Sequence, residues 1–248
     1  LFYNQEYFNL PLDRWDVSNV TNMSWMFYAA NNFNQSLNDW DVSNVTDMSY
    51  MLRFATNFNK ALNDWDVSNV TTMSKMFANM KEFNLALNNW DVSNVIDMDG
   101  MFYGASNFNQ PLDKWNVSQV KTMAEMFGNA KAFNEALNDW SVSNVTSMGG
   151  MFYGAEVFNQ PINDWDVSKV IKMNGMFKSA TNFDQPLDKW DVSSVTNMVG
   201  MFDNAIAFNQ ALSKWCVFEI KTKPNNFDYV ANSWTEPNKP IWGTCPNS

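Results

Sequence analysis

Carboxylates recur in this chain every 25 residues and are the first groups that could do chemistry. Those that follow a tryptophan are Asp16, Asp41, Asp66, Asp91, Asp166 and Asp191. If each unit pairs with the next, these carboxylates stack about 4.8 Å apart and repel, unless a cation or hydrogen-bond donors intervene. Hard oxygen ligands favour Ca²⁺, so one interpretation is a face that weakly binds Ca²⁺ or a basic ligand. The alternative is a solvated face that accepts hydrogen bonds from nearby Ser, Asn or backbone N–H groups.

Paired carboxylates could also hydrolyse glycosides. The carboxylates recur from unit to unit, however, whereas a catalytic site is normally formed by residues that occur once and depart from the repeat. The chain has no histidine, which excludes a His-based triad, a His zinc site and a His proton shuttle. We therefore expect no enzymatic activity, and no cofactor other than weakly bound Ca²⁺.

The overall charge narrows the choice of partner. Lys and Arg number 16 against 26 Asp and Glu, so the net charge is −10. A nucleic-acid binder needs a basic footprint, and anionic membranes attract basic segments. No apolar run reaches the roughly 20 residues of a transmembrane helix. We expect no nucleic acid and no direct membrane insertion. The expected partner is a protein or glycan surface ligand, or neighbouring subunits of an assembly.

A 25-residue unit, repeated about nine times, explains why the chain is rich in Trp, Phe and Met. Trp recurs every 25 residues from Trp15 to Trp215, and Phe does so from Phe8 to Phe208. Met occupies two more columns, whose spacing beside aromatic residues favours core packing over soft-metal binding. A unit this short cannot close a core by itself. The chain must therefore stack into a solenoid in which each unit covers its neighbours.

Two segments of the unit have different apolar periods. Residues 37–43 alternate apolar and polar side chains, which predicts a short strand. Residues 45–55 carry an apolar stripe with helical spacing, which predicts a helix of two to three turns. Gly100 and Gly150 fall inside this segment in later units and would each cost about 1 kcal/mol in a helix. The expected fold class is α/β, a leucine-rich-repeat-like solenoid with one short strand and one short helix per repeat. A purely β solenoid is the alternative.

An asparagine follows the core phenylalanine in most units. The column contains Asn34, Asn59, Asn84, Asn109, Asn134 and Asn159. A row of amides could bind sugar. A buried turn, however, contains backbone groups that need partners, and an amide supplies both a donor and an acceptor. We interpret the column as a structural ladder, similar to the asparagine ladder of leucine-rich repeats.

The units W-D-V-S-N-V-T-D-M-S-Y-M at 40–51 and M-F-Y-G-A-S-N-F-N-Q-P-L at 101–112 resemble the mycoplasma-lipoprotein repeat. That domain family of unknown function is grouped with BspA-like leucine-rich-repeat surface proteins. The resemblance covers residues 8 to about 220. It implies an extracellular or cell-surface array for adhesion or recognition, and it supplies no catalytic residues.

The two ends depart from the repeat. We expect residues 1–220 to form the solenoid and residues 221–248 an irregular C-terminal cap, since a terminal repeat needs a cover. Cys216 lies in the last unit and Cys245 near the terminus, so a disulfide is expected, which points to an oxidising compartment. Two free thiols are the alternative. The chain enters partway through a unit, so we expect it to be a processed or excerpted piece of a longer protein.

The most informative variation between units lies on the side of the predicted helix. Early units place Trp25, Tyr28, Tyr50 and Phe54 there, whereas later units place Gly, Lys, Asn and Ser. An exposed aromatic cluster can mark a contact, and scattered surface aromatics are the alternative. We expect a partner, a preceding domain or another copy to pack on this cluster. The predicted function is a non-catalytic extracellular array for protein or glycan recognition or adhesion. The alternative is a structural building block of a surface layer, appendage or larger assembly.

Overall fold

The computed structural model describes residues 1–246 and shows a stack of coils, one for each 25-residue unit. Equivalent positions of successive units lie side by side. The backbone N–H of Met23 donates to the Asp47 carbonyl at 2.8 Å, and the N–H of Met48 donates to the Thr72 carbonyl at 3.1 Å. Isolated parallel β-bridges join Asn22 to Asp47, Asp47 to Thr72, Thr72 to Asp97, Asp97 to Thr122, Thr122 to Ser147, Ser147 to Lys172 and Lys172 to Asn197.

The predicted α/β fold, with a strand and a helix in each repeat, is wrong. Within residues 1–246 the only helix is a 3₁₀ helix, Glu236–Asn238, and the only β structure is the set of isolated bridges. A β solenoid with a regular strand in each unit is not found in this part of the chain either. Each coil is instead built from consecutive turns, and the coils are joined by hydrogen bonds between them.

Left-handed residues prevent the helix that was predicted for residues 45–55. Tyr50 has φ 59° and Phe54 has φ 63°, and a left-handed residue does not continue a right-handed helix. The N–H groups of this segment consequently find two kinds of partner. The N–H of Met51 closes a turn on the Met48 carbonyl at 3.2 Å, whereas the N–H of Leu52 donates to Met76 in the next coil at 3.1 Å. The apolar stripe is a set of inward-facing side chains from successive turns.

Repeated glycines are the sequence signal for this backbone. In the column of Tyr50, four later units carry glycine, and in the column of Phe54 two units do. These residues are Gly100, Gly150, Gly175, Gly200, Gly104 and Gly154. Their φ values lie between 56° and 69°. Glycine reaches this region at little cost because it lacks a Cβ. The glycines that would weaken a helix therefore mark the left-handed corners of the coil.

The predicted strand, residues 37–43, is also made of turns. The N–H of Trp40 donates to the Leu37 carbonyl at 3.1 Å, and the N–H of Val45 donates to the Val42 carbonyl at 2.9 Å. The alternation of burial is as expected, because Trp40 and Val42 are buried and Asp41 is exposed. Burial with period two arises here without a sheet, since these N–H groups bond within their own coil.

Ladders of stacked side chains fill the interior. The rings of Phe102 and Phe127 stack at 5.8 Å, and the indoles of Trp115 and Trp140 lie 6.4 Å apart and within 5° of parallel. Each indole N–H from Trp40 to Trp215 donates to a Leu or Ile carbonyl 28 residues earlier, at 2.8–3.2 Å. A buried N–H without a partner would be costly. This bond lets each unit from Trp40 onward bury a tryptophan with its polar group satisfied.

The C-terminal segment covers the last coil. A disulfide joins Cys216 to Cys245. Trp234 is buried, and its indole N–H donates to the Gln210 carbonyl at 2.9 Å. Its ring packs edge-on against Phe202 and Phe208, with centroid distances of 5.1 and 4.9 Å. The end of the phenylalanine ladder is thereby closed by an aromatic residue that lies outside the repeat.

Candidate functional site

One face of the stack varies strongly between units, and we call it the variable face. It consists of the four columns that begin at Ser24, Trp25, Tyr28 and Ala29 and recur every 25 residues. Met26 and Phe27, which lie between them in the sequence, are buried in the core. A constant core and a variable surface therefore alternate within the same short segment of each coil.

The four aromatic residues predicted to contact a partner lie together at one end of the variable face. Trp25 and Tyr50 stack with their centroids 4.0 Å apart and their planes within 6°. Tyr28 lies 5.0 Å from Trp25 and meets Phe54 edge-on at 5.6 Å. Tyr3 extends the group by stacking on Tyr28 at 4.9 Å. We call Tyr3, Trp25, Tyr28, Tyr50 and Phe54 the aromatic cluster.

Three members of the aromatic cluster have left-handed backbone. The φ angles of Trp25, Tyr50 and Phe54 are 61°, 59° and 63°. This conformation costs an L-residue about 1–2 kcal/mol, and ring stacking returns about 0.5–1.5 kcal/mol per pair. Later units place glycine in the same columns, for example Gly150 and Gly154. The aromatic residues therefore stand where the backbone favours glycine.

Arg53 lies among the rings of the aromatic cluster. Its guanidinium carbon is 4.9 Å from the Phe54 centroid, 5.5 Å from that of Tyr50 and 5.8 Å from that of Tyr28. These distances are within the range of about 6 Å at which a cation interacts with an aromatic face. The Nε atom is buried and has no hydrogen-bond partner among residues 1–246. The repeat pattern does not identify Arg53, because its column varies between units and holds Tyr28, Lys178 and Asp203 at equivalent positions.

Farther along the variable face the side chains become smaller and leave a groove of about 550 Å³ that includes Gly150 in its lining. Two ion pairs lie on this stretch, Lys75–Asp99 at 3.2 Å and Lys178–Asp203 at 2.8 Å. The hydrogen bond to Asp203 raises the pKa of Lys178 above its ordinary value. Both cations thus have a carboxylate of the next coil as their partner.

Carboxylates of the Asp column bond within their own unit. Asp41 Oδ1 accepts from the backbone N–H of Ser43 at 3.1 Å and from its hydroxyl at 2.6 Å. The other five, which accept the backbone N–H two residues later, are Asp16, Asp66, Asp91, Asp166 and Asp191. The serine hydroxyl bond lowers the pKa of four column members, which are Asp16, Asp41, Asp91 and Asp166.

These carboxylates do not meet at a common point. Within the described part of the chain, no three Asp, Glu or Cys side chains are grouped closely enough to hold a metal ion. The serine partners also satisfy lone pairs that a cation would otherwise use. Weak binding of Ca²⁺ stays a prediction.

Five of the six side-chain oxygens of the Asn column accept a backbone N–H group from the next coil. Asn34 Oδ1 accepts from Asn59 at 3.0 Å, and Asn109 Oδ1 accepts from Asn134 at 2.8 Å. The same bond, at 2.9 Å, is made by Asn84, Asn134 and Asn159. These oxygens are therefore used within the stack, and the role of the column as a structural ladder stays a prediction.

The family comparison covers nearly the whole chain. The sequence profile described as "Mycoplasma protein of unknown function, DUF285" matches residues 1–84, 58–156 and 134–239. No curated protein matches the chain. Residues 1–246 contain no helix that is long and apolar enough to cross a membrane.

Solved structures of leucine-rich-repeat and related proteins are distantly similar. A leucine-rich repeat protein from Bacteroides ovatus is 10% identical, with a TM-score of 0.43, over 84% of this chain and 67% of that one. The TLR13–ssRNA13 complex gives 10% identity and a TM-score of 0.32 over 87% and 37%. An internalin (inlF) from Listeria monocytogenes gives 7% and 0.28 over 78% and 66%. At TM-scores below 0.5 these similarities support no inference about ligand or activity.

Proposed function

Since the chain belongs to the DUF285 family, which confirms the resemblance of its repeats to the mycoplasma type, we propose that it is a non-catalytic array that binds a protein ligand outside the cell. The ligand contacts the aromatic cluster of the variable face. The disulfide between Cys216 and Cys245 supports an oxidising compartment, as secreted and surface proteins experience. The repeated units and the lack of histidine support binding rather than catalysis.

One observation carries this proposal: Trp25, Tyr50 and Phe54 are exposed or half-buried aromatic residues at left-handed positions. Trp25 is 38% exposed, and Tyr3 beside it in the cluster is 48% exposed. Aromatic side chains bury a large area at low entropy cost and are enriched among the residues that anchor interfaces. Folding alone gains little from Trp25 and Tyr50 at corners where glycine is unstrained. A bound partner that covers the rings supplies the missing stabilisation.

The test replaces the two stacked aromatics by the residue that later units use in the same column. We expect Trp25→Gly with Tyr50→Gly to keep the fold and to weaken ligand binding by about 2 kcal/mol, or roughly 30-fold. Glu125→Gly is the matched control, because Glu125 shares the column and the left-handed backbone but lies outside the aromatic cluster. Binding is measured on arrays of surface proteins and glycans.

Three outcomes decide between the functions. If the double variant and the parent bind the same ligands with equal affinity, the aromatic cluster is not the contact. Ligands that are all glycans contradict the choice of a protein ligand and leave recognition in place. Self-association of the parent that the double variant abolishes favours the alternative, a building block of a surface layer, appendage or larger assembly.

A further inference from the structure

We infer that Arg53 binds a carboxylate of the ligand, so that the array recognises an acidic side chain next to apolar residues of a partner polypeptide. This inference rests on the proposed function, because it names the chemistry recognised at the same aromatic cluster. Arg53 supplies the charge, and Trp25, Tyr28, Tyr50 and Phe54 supply the apolar surroundings.

The charge balance of the variable face sets Arg53 apart from the two lysines there. Lys75 and Lys178 pair there with Asp99 and Asp203. Within residues 1–246, Arg53 has no carboxylate oxygen within the 4.0 Å that defines an ion pair. The chain has 26 acidic residues, so carboxylates are plentiful. Arg53 packs instead against three aromatic rings and has the charge that an external carboxylate would complement.

The surroundings of the guanidinium favour a carboxylate ligand. Arg53 is half-buried, and its Nε atom is shielded from water without a hydrogen-bond partner among the described residues. Aromatic rings around a cation exclude water and strengthen a charged hydrogen bond made there. Packing also restricts the planar guanidinium before the ligand arrives. A fork held in this way suits the two oxygens of a carboxylate.

The stacking of the rings favours a polypeptide over a glycan. A sugar stacks on an open aromatic face, but Trp25 and Tyr50 cover each other at 4.0 Å, and Tyr3 and Tyr28 cover each other at 4.9 Å. The stacked rings leave edges as their main contact, which suits the apolar side chains of a polypeptide. A carboxylate flanked by such side chains fits both the cation and the rings.

Long-range electrostatics makes this preference testable. A chain with net charge −10 repels acidic ligands in bulk. A preference for an acidic peptide over its amide counterpart must therefore come from a local pair. Removing the charge of Arg53 should abolish the preference, whereas removing a distant cation should not.

The experiment selects peptides that bind the intact chain from a random display library. Peptides that also bind the Trp25→Gly, Tyr50→Gly double variant are then discarded. A selected peptide and its counterpart with Asn for Asp, or Gln for Glu, are then titrated against the parent, Arg53→Lys and Arg53→Met. Lys121→Met is the charge-matched control, because Lys121 is exposed and lies outside the aromatic cluster. A melting curve for each variant verifies folding.

We expect selected peptides with Asp or Glu beside apolar residues, and a parent that prefers the acidic form by about tenfold. Arg53→Met should reduce that ratio to about one, Arg53→Lys should give an intermediate ratio, and Lys121→Met should retain the parental ratio. Selected peptides without an acidic residue, or a ratio unchanged in Arg53→Met, overturn the inference but leave the proposed function standing. If no peptide distinguishes the parent from the double variant, the inference and the proposed protein contact both fail.

Discussion

Between Trp25 and Phe54 the variable face carries stacked aromatic side chains, whereas from Gly149 onward the same face is rich in glycine. The backbone of the two stretches is nevertheless alike, with φ 59° at Tyr50 and 64° at Gly150. The buried Met and Phe columns continue beneath both. The fold therefore fixes the backbone conformation at each corner of the coil but not the side chain that stands there. The choice of residue at a corner is therefore a guide to the function of the surface at that point.

The largest effect on the free energy of unfolding is expected from removing a core side chain between the two stretches. Trp115 is 3% exposed and donates its indole N–H to Leu87 at 3.0 Å. Trp115→Ala should cost about 3–5 kcal/mol, and the aromatic and glycine stretches should then unfold in separate steps, since each coil contacts only its neighbours. Equilibrium denaturation combined with hydrogen exchange measures both effects. Trp15→Ala, at an exposed position of the same column, is the control, and a loss below about 1 kcal/mol at Trp115 would contradict the ladder.

Reduction of the disulfide should act more strongly on the glycine stretch than on the aromatic stretch. Cys216 and Cys245 are 29 residues apart, and opening that loop should cost about 3–4 kcal/mol in the chain-entropy model. The units nearest the C-terminal segment should lose protection first because their cover is released. Limited proteolysis with and without reductant measures the order of cleavage. Equal protection of the two stretches after reduction would show that the disulfide does not hold the last coils.

A smaller effect is expected from exchanging corner residues. Gly150→Val should cost about 1–3 kcal/mol, because a β-branched residue is strained at φ 64°. Gly150→Asn is the control, since asparagine tolerates this region better. Tyr50→Gly should change stability little, because relief of strain offsets the lost stacking with Trp25. Urea denaturation of the three variants provides the comparison, and equal stability of the Val and Asn variants would refute corner strain.

The smallest effect concerns Asp97, which lies between the two stretches. Burial raises its pKa above the ordinary value of 3.8. Because the folded state favours the protonated form of Asp97, this residue contributes to stability at low pH. That contribution is lost as pH rises through the pKa of the folded state. Asp97→Asn should therefore raise the melting temperature at neutral pH and have little effect near about pH 3.

Asp41 is the control of opposite sign for that experiment. Its hydrogen bond from Ser43 lowers its pKa, so its contribution is present above 3.8 and is lost as pH falls through the folded pKa. Asp41→Asn should accordingly remove stability at neutral pH. Melting curves in acid and neutral buffer test both variants, and a shift of the same sign in both would refute the assigned pKa directions.

The repeat unit, the buried columns and the family could be predicted from the sequence, because the same pattern of apolar residues recurs in about nine units. The spacing of Trp40, Val42 and Met48 already separates inward from outward positions. In units that have a neighbour on both sides, this spacing determines which side chains are buried. Their burial does not depend on which carbonyl each N–H group reaches.

The secondary structure could not be predicted in the same way. Apolar residues three or four positions apart suit a helix and also suit consecutive turns, and only the hydrogen-bond partner of an N–H such as that of Leu52 distinguishes them. The glycines of the Tyr50 column contained the missing information. The aromatic cluster is assembled by stacking between coils, as between Trp25 and Tyr50, rather than by the turn of a helix. Arg53 was missed because it breaks no pattern.

The indole bonds that reach back 28 residues have an evolutionary consequence. Each bond spans one unit and three residues more, so inserting or deleting any number of residues other than a whole unit misaligns the bonds that span the change. Recombination between two matching positions of the gene, however, adds or removes coils that already fit their new neighbours. Natural variants of such an array should therefore differ in length by multiples of 25 residues. The same exchanges reorder the corner residues. A lineage can therefore change what it binds while the core contacts between adjacent coils stay the same.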